Sequence, residues 1–414
     1  MELCAAEIER YKFYSLQLER MQNKRQLSLL FLAIFIDLVG FGMVIPILPF
    51  AAEHYGADGL MLGIFVASFS LMQFLFSPIW GALSDKIGRR PVILVGLLGG
   101  SVSFLVFGLS TSLEMLFFSR ILSGIFTAAT LPTVHAYIAD LTDDKDRVRG
   151  FGLINMAFGL GFIFGPAIGG LLSSNGFLFP ALVASGLSFV NFLGALIWLP
   201  ESYKPKERII HKRKILDIKE LKWAIKHPEV GTLILVFAIV SFGFSALEAT
   251  YALYGERIAQ LNAQSIGIIF AMVGTIVIII QGFLIGRIVR RIGEKRTLLA
   301  GLVFMTSGYI AVTFAHDFYS LMALTSLISI GNSLTFPTVN GLISMRSGKH
   351  EQGKMMGINQ SASSLARVVG PIWGGMLFIT SIRWPFYSAA FFISIALLLA
   401  YYKVKGEGGN AVPT

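Results

Sequence analysis

The sequence predicts an all-α membrane protein whose twelve transmembrane helices form two pseudo-symmetric six-helix halves. Three observations lead to this prediction. The 414 residues are 55% hydrophobic and 14% charged, with a mean hydropathy of +0.71, whereas average globular chains carry about 25% charged residues. Basic residues recur in alternate segments between long apolar runs, and several short motifs return at one fixed offset along the chain.

Apolar runs long enough to cross a bilayer fill most of the chain. A hydrocarbon core of roughly 30 Å is crossed by about 20 helical residues, so uninterrupted apolar runs of that length predict membrane spans. We predict twelve spans, at residues 27–50, 60–83, 91–110, 114–138, 149–172, 178–199, 231–254, 265–287, 297–315, 318–342, 354–379 and 384–402.

The basic residues predict how these spans are oriented. Thirty of the 34 Lys and Arg residues lie in the N-terminal tail, in loops after even-numbered spans or at the span ends that border these loops, or in the C-terminal tail. Positive charge marks the cytoplasmic side of a membrane protein. We therefore expect a multi-pass protein of the cytoplasmic membrane with both termini inside. The formal net charge of +10 reflects this topology and does not indicate a nucleic-acid partner.

The same pattern divides the chain into five regions. Residues 1–26 mix acidic and basic side chains without an apolar core, which predicts a cytoplasmic tail and excludes a signal peptide. Two six-helix halves, 27–200 and 230–402, flank a cytoplasmic basic linker at 201–229, and a cytoplasmic tail follows at 403–414.

The two halves share an internal repeat with an offset of 205 residues. "GALSDKIGRRP" at 81–91 corresponds to "GRIVRRIGEKR" at 286–296, "LPTV" at 131 to "FPTV" at 336, and "GPAIGG" at 165 to "GPIWGG" at 370. Duplicated six-span units with a binding site at the membrane midplane are typical of secondary transporters. Small residues permit close helix packing and prolines permit bends, so we assign packing or hinge roles to Gly161, Gly165, Pro166, Gly169, Gly370 and Pro371.

Several other function classes find no support in the sequence. The single cysteine, Cys4, excludes an internal disulfide and a cysteine-based metal site, and no phosphate-binding loop of the Walker type is present. A membrane enzyme or sensor would need a catalytic constellation or an appended domain, and neither is found. We expect no catalytic residue, no metal and no cofactor.

Four ionisable residues lie well inside predicted spans: Asp37, Arg120, Glu248 and Arg367. Such charges are costly in a bilayer, about 2.5–3.5 kcal/mol each on insertion scales, and normally face the protein interior. Helical rise places Asp37 roughly 15 Å and Arg120 roughly 20 Å from the cytoplasmic face, which predicts that they pair. Such a pair either exchanges protons for substrate or simply joins span 1 to span 4.

Glu248 has no obvious cation near it in the sequence, which favours proton or cation binding. Its alternatives are pairing with Arg367 or an exposed place at the outer rim, and Arg367 has anion binding as its own alternative. His135 is either structural or titrates near neutrality. Polar residues inside spans are candidates for substrate binding or for helix contacts: Gln73, Asn155, Gln281, Asn332 and Gln360.

Five motifs together carry a resemblance to a known family. They are "DLVGFGMVIPILP" at 37–49, "GALSDKIGRRP" at 81–91, "RILSG" at 120–124, "GFIFGPAIGG" at 161–170 and "SGKHEQG" at 347–353. The chain resembles the major facilitator superfamily, and within it the twelve-span drug–proton antiporters of the tetracycline-efflux type.

The resemblance implies the major facilitator fold and proton-coupled efflux of small lipophilic or cationic compounds, such as drugs, by alternating access. The partners expected are a small-molecule substrate, protons and the lipid bilayer, and we expect a monomer. The alternative is a symporter or facilitator of a specific hydrophilic metabolite, which the same fold permits.

The resemblance also implies a conformational latch in the loop between spans 2 and 3. Its residues are Gly81, Asp85, Gly88, Arg89 and Arg90, and Asp85 is expected at the start of span 11, close to Met356 and Gly357. There the helix dipole favours an anion. This chain departs from the tetracycline type in span 9, where Met305 replaces an acidic residue, so Asp37, Glu248 or both are left to carry the proton.

Overall fold

The computed structural model describes residues 25–142, 144–176, 178–202, 227, 229–347 and 351–404, with only the backbone for 144–151, 155 and 353. Within these residues there are twelve long helices and no strand, so the all-α prediction is confirmed. The helices are α1 (Arg25–His54), α2 (Gly59–Ile87), α3 (Arg89–Gly108), α4 (Leu113–Leu141), α5 (Asp144–Leu172), α6 (Phe179–Trp198), α7 (Val230–Ala259), α8 (Ala263–Ile292), α9 (Glu294–Val312), α10 (Phe318–Arg346), α11 (Gln352–Thr380) and α12 (Trp384–Lys403).

Ten of the helices within the described residues are long and apolar enough to cross a membrane. The other two, α9 and α10, differ in composition. Helix α9 begins with Glu294, Lys295 and Arg296, and α10 is rich in Ser, Thr and Asn. The predicted tails 1–26 and 403–414 and the predicted linker 201–229 lie mostly outside the described residues, so those boundaries stay predictions.

Local irregularities in the helices have identifiable causes. Helix α1 contains a 3₁₀ turn at Ile45–Ile47, where Pro46 cannot donate a backbone hydrogen bond. Helix α4 consists of two segments, Leu113–Thr127 and Thr130–Leu141, and Pro132 lies four residues beyond the break at Ala128. Helix α8 widens into a π-helical stretch at Ile278–Leu284, a feature often found at functional sites.

The internal repeat is visible in tertiary contacts. Gly96 of α3 packs against the hydroxyl of Thr130 in α4, and Gly301 of α9 packs against the hydroxyl of Thr335 in α10. Both members of the second pair lie 205 residues after those of the first. The two halves therefore pack their equivalent helices at equivalent positions.

We call the end of the bundle that carries Arg89, Arg90, Arg290 and Arg291 the basic end, and the other the opposite end. At the opposite end the two halves meet along two equivalent seams. A Cβ on Gly375 of α11 would collide with the carbonyl oxygen of Gly59 in α2, and one on Gly170 of α5 would lie 3.1 Å from Gln264 Cα in α8. These two contacts are again related by the offset of 205 residues.

An ion pair adds to the closure of the opposite end. Arg257 Nη2 at the end of α7 donates to Glu53 Oε1 at the end of α1, at 2.8 Å, and so links one half to the other. The guanidinium of Arg257 also lies over the ring of Phe378 in α11, 5.1 Å from its centroid.

The basic end is open. Glycines near that end of α5, α8, α10 and α11 face free space, because an added Cβ would meet no atom within 4 Å at Gly152, Gly282, Gly286, Gly341 or Gly357. Close packing of the halves at one end and open space at the other define a conformation accessible from the basic end.

The seam contacts lead to a first prediction. Replacing Gly375 by Val should prevent closure of the opposite end, because the added side chain overlaps the Gly59 backbone. A cysteine at Ala263, buried in the other seam, should then react faster with a maleimide added at that end, in a protein that lacks Cys4. Gly186→Val, on α6 where an added Cβ would meet no atom within 4 Å, serves as the control and should leave labelling unchanged; equal labelling in both variants would contradict the seam's role.

Candidate functional site

Three charged side chains from both halves lie together in the membrane interior. Arg120 of α4 comes from the first half, whereas Glu248 of α7 and Arg367 of α11 come from the second. The carboxylate of Glu248 interacts electrostatically with both guanidinium groups. The charge cluster, as we name these three residues, therefore joins the two halves electrostatically.

Arg120 is the most enclosed member of the charge cluster. Only 4% of the residue is exposed, and its guanidinium lies over the ring of Phe69 in α2 at 4.3 Å and near that of Phe65 at 5.9 Å. Cation–π contacts of this kind stabilise a charge that water does not reach. Its Nε has no hydrogen-bond acceptor in the described part of the chain.

Glu248 and Arg367 are half-buried. Neither forms a salt bridge with a nitrogen–oxygen distance of 4 Å or less within the described residues. The charge cluster thus consists of charges that interact electrostatically without forming direct ion pairs.

Asp37 lies apart from the charge cluster, so the predicted Asp37–Arg120 pair is wrong. Its carboxylate faces the junction of α3 and α4, where a Cβ on Gly100 would lie 3.9 Å from Asp37 Oδ1 and 3.7 Å from Thr127 Cγ2. Thr127 is seven residues beyond Arg120 on the same face of α4, about 10 Å along the axis. Asp37 and Arg120 were predicted to pair because they lie at similar depth in the membrane. In the structure their side chains face different neighbours.

Asp37 has no ion pair among the described residues, and no charged group is found to act on it. Glu248, in contrast, was expected to lack a nearby cation and has two. Arg120 could not be found as its neighbour from sequence spacing, because it lies on the other half of the molecule. Glu248 and Arg367 interact electrostatically but form no ion pair within 4 Å among the described residues, so their pairing stays a prediction.

The polar residues proposed for substrate binding occupy different environments. Gln73 on α2 and Asn332 on α10 are half-buried, and Asn332 Oδ1 is enclosed without a partner in the described residues. Gln281, in the π-helical stretch, and Gln360 are exposed, and the side chain of Asn155 lies outside the described residues. His135 is exposed on α4. Their roles in binding stay predictions.

The loop between α2 and α3 is fixed to its own half of the molecule. Gly88 adopts a φ of +103°, and a Cβ there would lie 2.5 Å from Glu201 Oε2, so both the backbone and the space require glycine. The backbone N–H groups of Arg89 and Arg90 donate to the carboxylate of Glu201 at 2.9 and 3.1 Å. Arg90 Nη2 also donates to the carbonyl of Leu196.

Arg89 is almost fully buried, with 1% exposure, and binds two carboxylates. Its Nη1 lies 2.6 Å from Asp85 Oδ1, and its Nε donates to Asp140 Oδ2 at 3.1 Å. Asp85 therefore pairs within its own half in this structure and does not make the expected contact near Met356 and Gly357. The open basic end explains the difference, because Gly357 faces free space there, as does Gly81 apart from a distant contact with Pro132.

Glycines and prolines of the repeated motif lie at helix contacts. Gly161, Gly165 and Gly169 of α5 pack against Leu38, Gly42 and Met43 of α1, and Gly370 packs against Ser245 of α7. The carbonyl of Pro166 faces Gly267 of α8, and that of Pro371 faces Gly63 of α2. Gly282 and Gly286 of α8, which have the same spacing as Gly161 and Gly165, face free space in this conformation.

The sequence analysis did not predict the Arg257–Glu53 ion pair and the cavity beside it at the opposite end, which we call the gate. A cavity of about 1030 Å³ lies there between α1, α5, α7 and α8, and its lining includes Glu53, Glu256 and Arg257. A signal for this gate was present, because Arg257 is one of only two basic residues in loops after odd-numbered spans. A single cation at an end of the molecule with few charges is expected to pair with an acidic residue, and Arg257 pairs with Glu53.

The described residues show no candidate metal site, and the position of the span-9 acid is occupied by an apolar residue. They contain no group of three or more His, Cys, Asp or Glu side chains placed to hold a metal ion. Met305, at the place of the acid, is fully buried on α9 and packs on Gly331 of α10.

Comparison with known proteins gives concordant results. The sequence model of the Major Facilitator Superfamily matches residues 30–290 and 260–412. Multidrug resistance protein 2 of Bacillus subtilis (strain 168) is 31% identical over 92% of this chain and 95% of that protein. Tetracycline resistance protein, class C, of Escherichia coli is 32% identical over 85% of this chain and 89% of that protein.

Solved structures share the fold at lower identity. A bacterial homolog of the human lysosomal transporter Spinster, in an inward-facing and occupied conformation, matches with a TM-score of 0.75 and 15% identity over 91% of this chain and 95% of that one. The human organic anion transporter MFSD10 (TETRAN) matches with a TM-score of 0.67 and 23% identity over 91% of this chain and 99% of that one.

Proposed function

Because this chain belongs to the Major Facilitator Superfamily, we propose that it exports small lipophilic compounds such as drugs across the cytoplasmic membrane in exchange for protons. Relatives named for multidrug and tetracycline resistance, which align over most of their length, support this proposal. They give no support to the alternative of a symporter or facilitator of a hydrophilic metabolite.

The observation that carries the proposal is the set of ionisable groups in the membrane interior. The charge cluster of Arg120, Glu248 and Arg367 joins the halves, while Asp37 has a carboxylate without a counter-ion among the described residues. Asp37 can take up and release a proton without breaking an ion pair. Protonation of Glu248, in contrast, would leave two arginines without their anion. We assign the proton carrier to Asp37 and the link between the halves to Glu248.

Alternating access follows from the contacts at the two ends. The basic end corresponds to the cytoplasmic side by the distribution of Lys and Arg. Substrate enters there, next to the half-buried Glu248 and Arg367. Rocking of the halves then separates the glycine seams and the Glu53–Arg257 pair and brings the basic ends together.

The proton-motive force is sufficient for this work. Moving one charge through 100 mV is worth about 2.3 kcal/mol, so roughly 150 mV supplies about 3.5 kcal/mol per proton, equivalent to a gradient of a few hundredfold. One proton per substrate is therefore enough to maintain a useful gradient of drug.

Inverted membrane vesicles test the proposed function. Vesicles that contain the protein should accumulate the neutral fluorescent compound dansylglycine methyl ester when their interior is made acidic, and the accumulation should collapse when a protonophore is added. Accumulation that persists in the protonophore, or that matches vesicles without the protein, would refute proton-coupled export.

The latch prediction is tested separately. Asp85→Asn removes the charge expected to meet the start of α11 when the basic end closes. We expect slower turnover and faster maleimide labelling of a cysteine placed at Gln360, in a protein that lacks Cys4. Lys86→Gln, at the exposed neighbouring position, is the control. Wild-type turnover and labelling in Asp85→Asn would contradict a latch at this residue.

A further inference from the structure

The charges of the charge cluster do not balance. Two arginines, Arg120 and Arg367, share the single carboxylate of Glu248, which is the charged group that acts on both within the described residues. Asp37 lies about two helical turns away and faces a different junction. One positive charge is therefore left over in the membrane interior when Glu248 is ionised. Buried charges are normally paired, so the surplus indicates that a partner is absent.

Arg120 shows where that partner is needed. A guanidinium has five N–H donors in one plane. The rings of Phe69 and Phe65 interact with the face of the Arg120 guanidinium, and this leaves the in-plane donors available. Its Nε is enclosed and has no acceptor in the described part of the chain. The residue is thus a buried cation with unused donors.

The internal repeat shows that the fold itself does not require these charges. The positions equivalent to Arg120, Glu248 and Arg367 in the other half, 205 residues away, hold Thr325, Met43 and Phe162. Thr325 forms a 2.6 Å hydrogen bond between its Oγ1 and the hydroxyl of Tyr251. A neutral contact therefore fills the place of Arg120 in the second half, so a charged residue is not needed there for helix packing.

The surroundings indicate what kind of molecule would supply the missing charge. The planar fork of an arginine fits a carboxylate with two parallel hydrogen bonds. Phe65 and Phe69 are buried beside Arg120 and make its surroundings apolar. Glu248 and Arg367 are half-buried and the basic end is open, so a ligand has a route to the charge cluster.

On the premise of the transport function proposed above, we propose that Arg120 and Arg367 bind a carboxylate of the substrate, so that the preferred substrates are apolar compounds bearing one negative charge. The family resemblance favoured lipophilic or cationic compounds, and anion binding at Arg367 was only an alternative, because the sequence does not show that both arginines interact with one carboxylate. A single anion neutralises the surplus charge, whereas a cation adds to it. When one such anion leaves the cell and one proton enters, the net movement is two positive charges inward. The membrane potential, which is negative inside, therefore assists export of the anion.

Three fluorescent probes with the same dansyl ring system test the charge preference. Dansylglycine is an anion, its methyl ester is neutral, and N-(2-aminoethyl)dansylamide is a cation at neutral pH. Binding to the purified full-length protein in nanodiscs is followed by dansyl fluorescence. We expect the anion to bind at least about tenfold more tightly than the ester, the scale of one charge-assisted hydrogen bond, and the cation to bind most weakly.

Variants locate the preference. Arg120→Gln and Arg367→Gln should each bring the affinity for dansylglycine down to that for the ester, while the affinity for the ester is retained. If Arg120→Gln does not fold because Arg120 is buried, Arg367→Gln alone tests whether the arginines cause the preference for the anion. Arg287→Gln removes an exposed arginine at the basic end of α8 and should keep the wild-type preference.

The outcomes separate this inference from the proposed function. Equal or tighter binding of the ester or the cation by the wild type would overturn the inference, as would a preference for the acid that survives both arginine substitutions. Absence of proton-driven transport of every probe, with the acid preference intact, would refute the exporter and leave the carboxylate site standing. Proton-driven transport of the ester without any preference for the acid would support the exporter and refute the carboxylate site.

Discussion

Replacement of Asp37 by Asn should abolish transport driven by a pH gradient while substrate binding remains measurable. The amide keeps the shape and the hydrogen-bonding capacity of the carboxyl group next to Gly100 and Thr127, but it cannot carry a proton. Asp37 has no ion pair among the described residues, so its replacement leaves no counter-ion unpaired. Uptake by inverted vesicles should fall to the level of vesicles without the protein, whereas binding of the probe to purified protein should persist.

Asp317→Asn is the matched control for this prediction. Asp317 caps the N-terminus of α10 at the opposite end by accepting from the Ser320 N–H at 2.7 Å, and Asn caps helices about as well as Asp. The control should therefore transport like the wild type. Wild-type, gradient-dependent uptake by Asp37→Asn would remove Asp37 from the coupling mechanism.

Replacement of Glu248 by Gln should chiefly destabilise the protein. The variant leaves Arg120 and Arg367 without their shared anion in the membrane interior. Removal of one partner from a buried ion pair typically costs about 3–5 kcal/mol, and we expect the lower part of this range because the charges are separated and Glu248 is half-buried. Thermal unfolding in detergent should show a lower midpoint than for the wild type.

The double variant Glu248→Gln/Arg367→Gln distinguishes a link between the halves from a proton carrier. With Arg367 neutralised as well, the net charge of the cluster returns to its wild-type value, so part of the lost stability should return even though Arg120 still lacks its anion. Proton coupling should return with it if Asp37 is the carrier. Recovered stability without recovered coupling would assign the role of proton carrier to Glu248. No recovery of either would contradict the proposed interactions of the charge cluster.

Most of the fold could be predicted from the sequence because the membrane imposes strong, regular constraints. Helix length is fixed by the thickness of the hydrocarbon core, and backbone groups there must be satisfied within each helix. The 205-residue repeat gave the two halves before any contact was known. The family assignment suggested by the five motifs is confirmed by the match over residues 30–290 and 260–412.

The candidate site was less accessible to prediction because it depends on contacts between residues far apart in the chain. Depth along a helix can be counted, but the direction of a side chain depends on the rotation of that helix, and Asp37 and Arg120 have similar depth and different neighbours. Glu248 lies 128 residues from Arg120 along the sequence, and only the packing of the two halves brings them together.

Conformation was the second limit on prediction. The same glycine can pack tightly in one state and face free space in another, and Gly286 and Gly357 face free space while Gly59 and Gly375 are closely packed. The expected position of Asp85 beside α11 belongs to a state with a closed basic end. Sequence motifs carry the contacts of all states of a transporter at once, whereas a structure shows one of them.

The central claim, exchange of a proton for a substrate, is tested most directly by the direction of proton movement. Proteoliposomes with a pH-sensitive dye inside are loaded with dansylglycine methyl ester and diluted into medium without it, at equal pH on both sides. Outward flow of the compound should acidify the interior, and Asp37→Asn should prevent this change while liposomes without protein set the baseline. Alkalinisation of the interior would show symport, and an unchanged internal pH during protein-dependent efflux of the compound would show facilitated diffusion; either result would contradict the account.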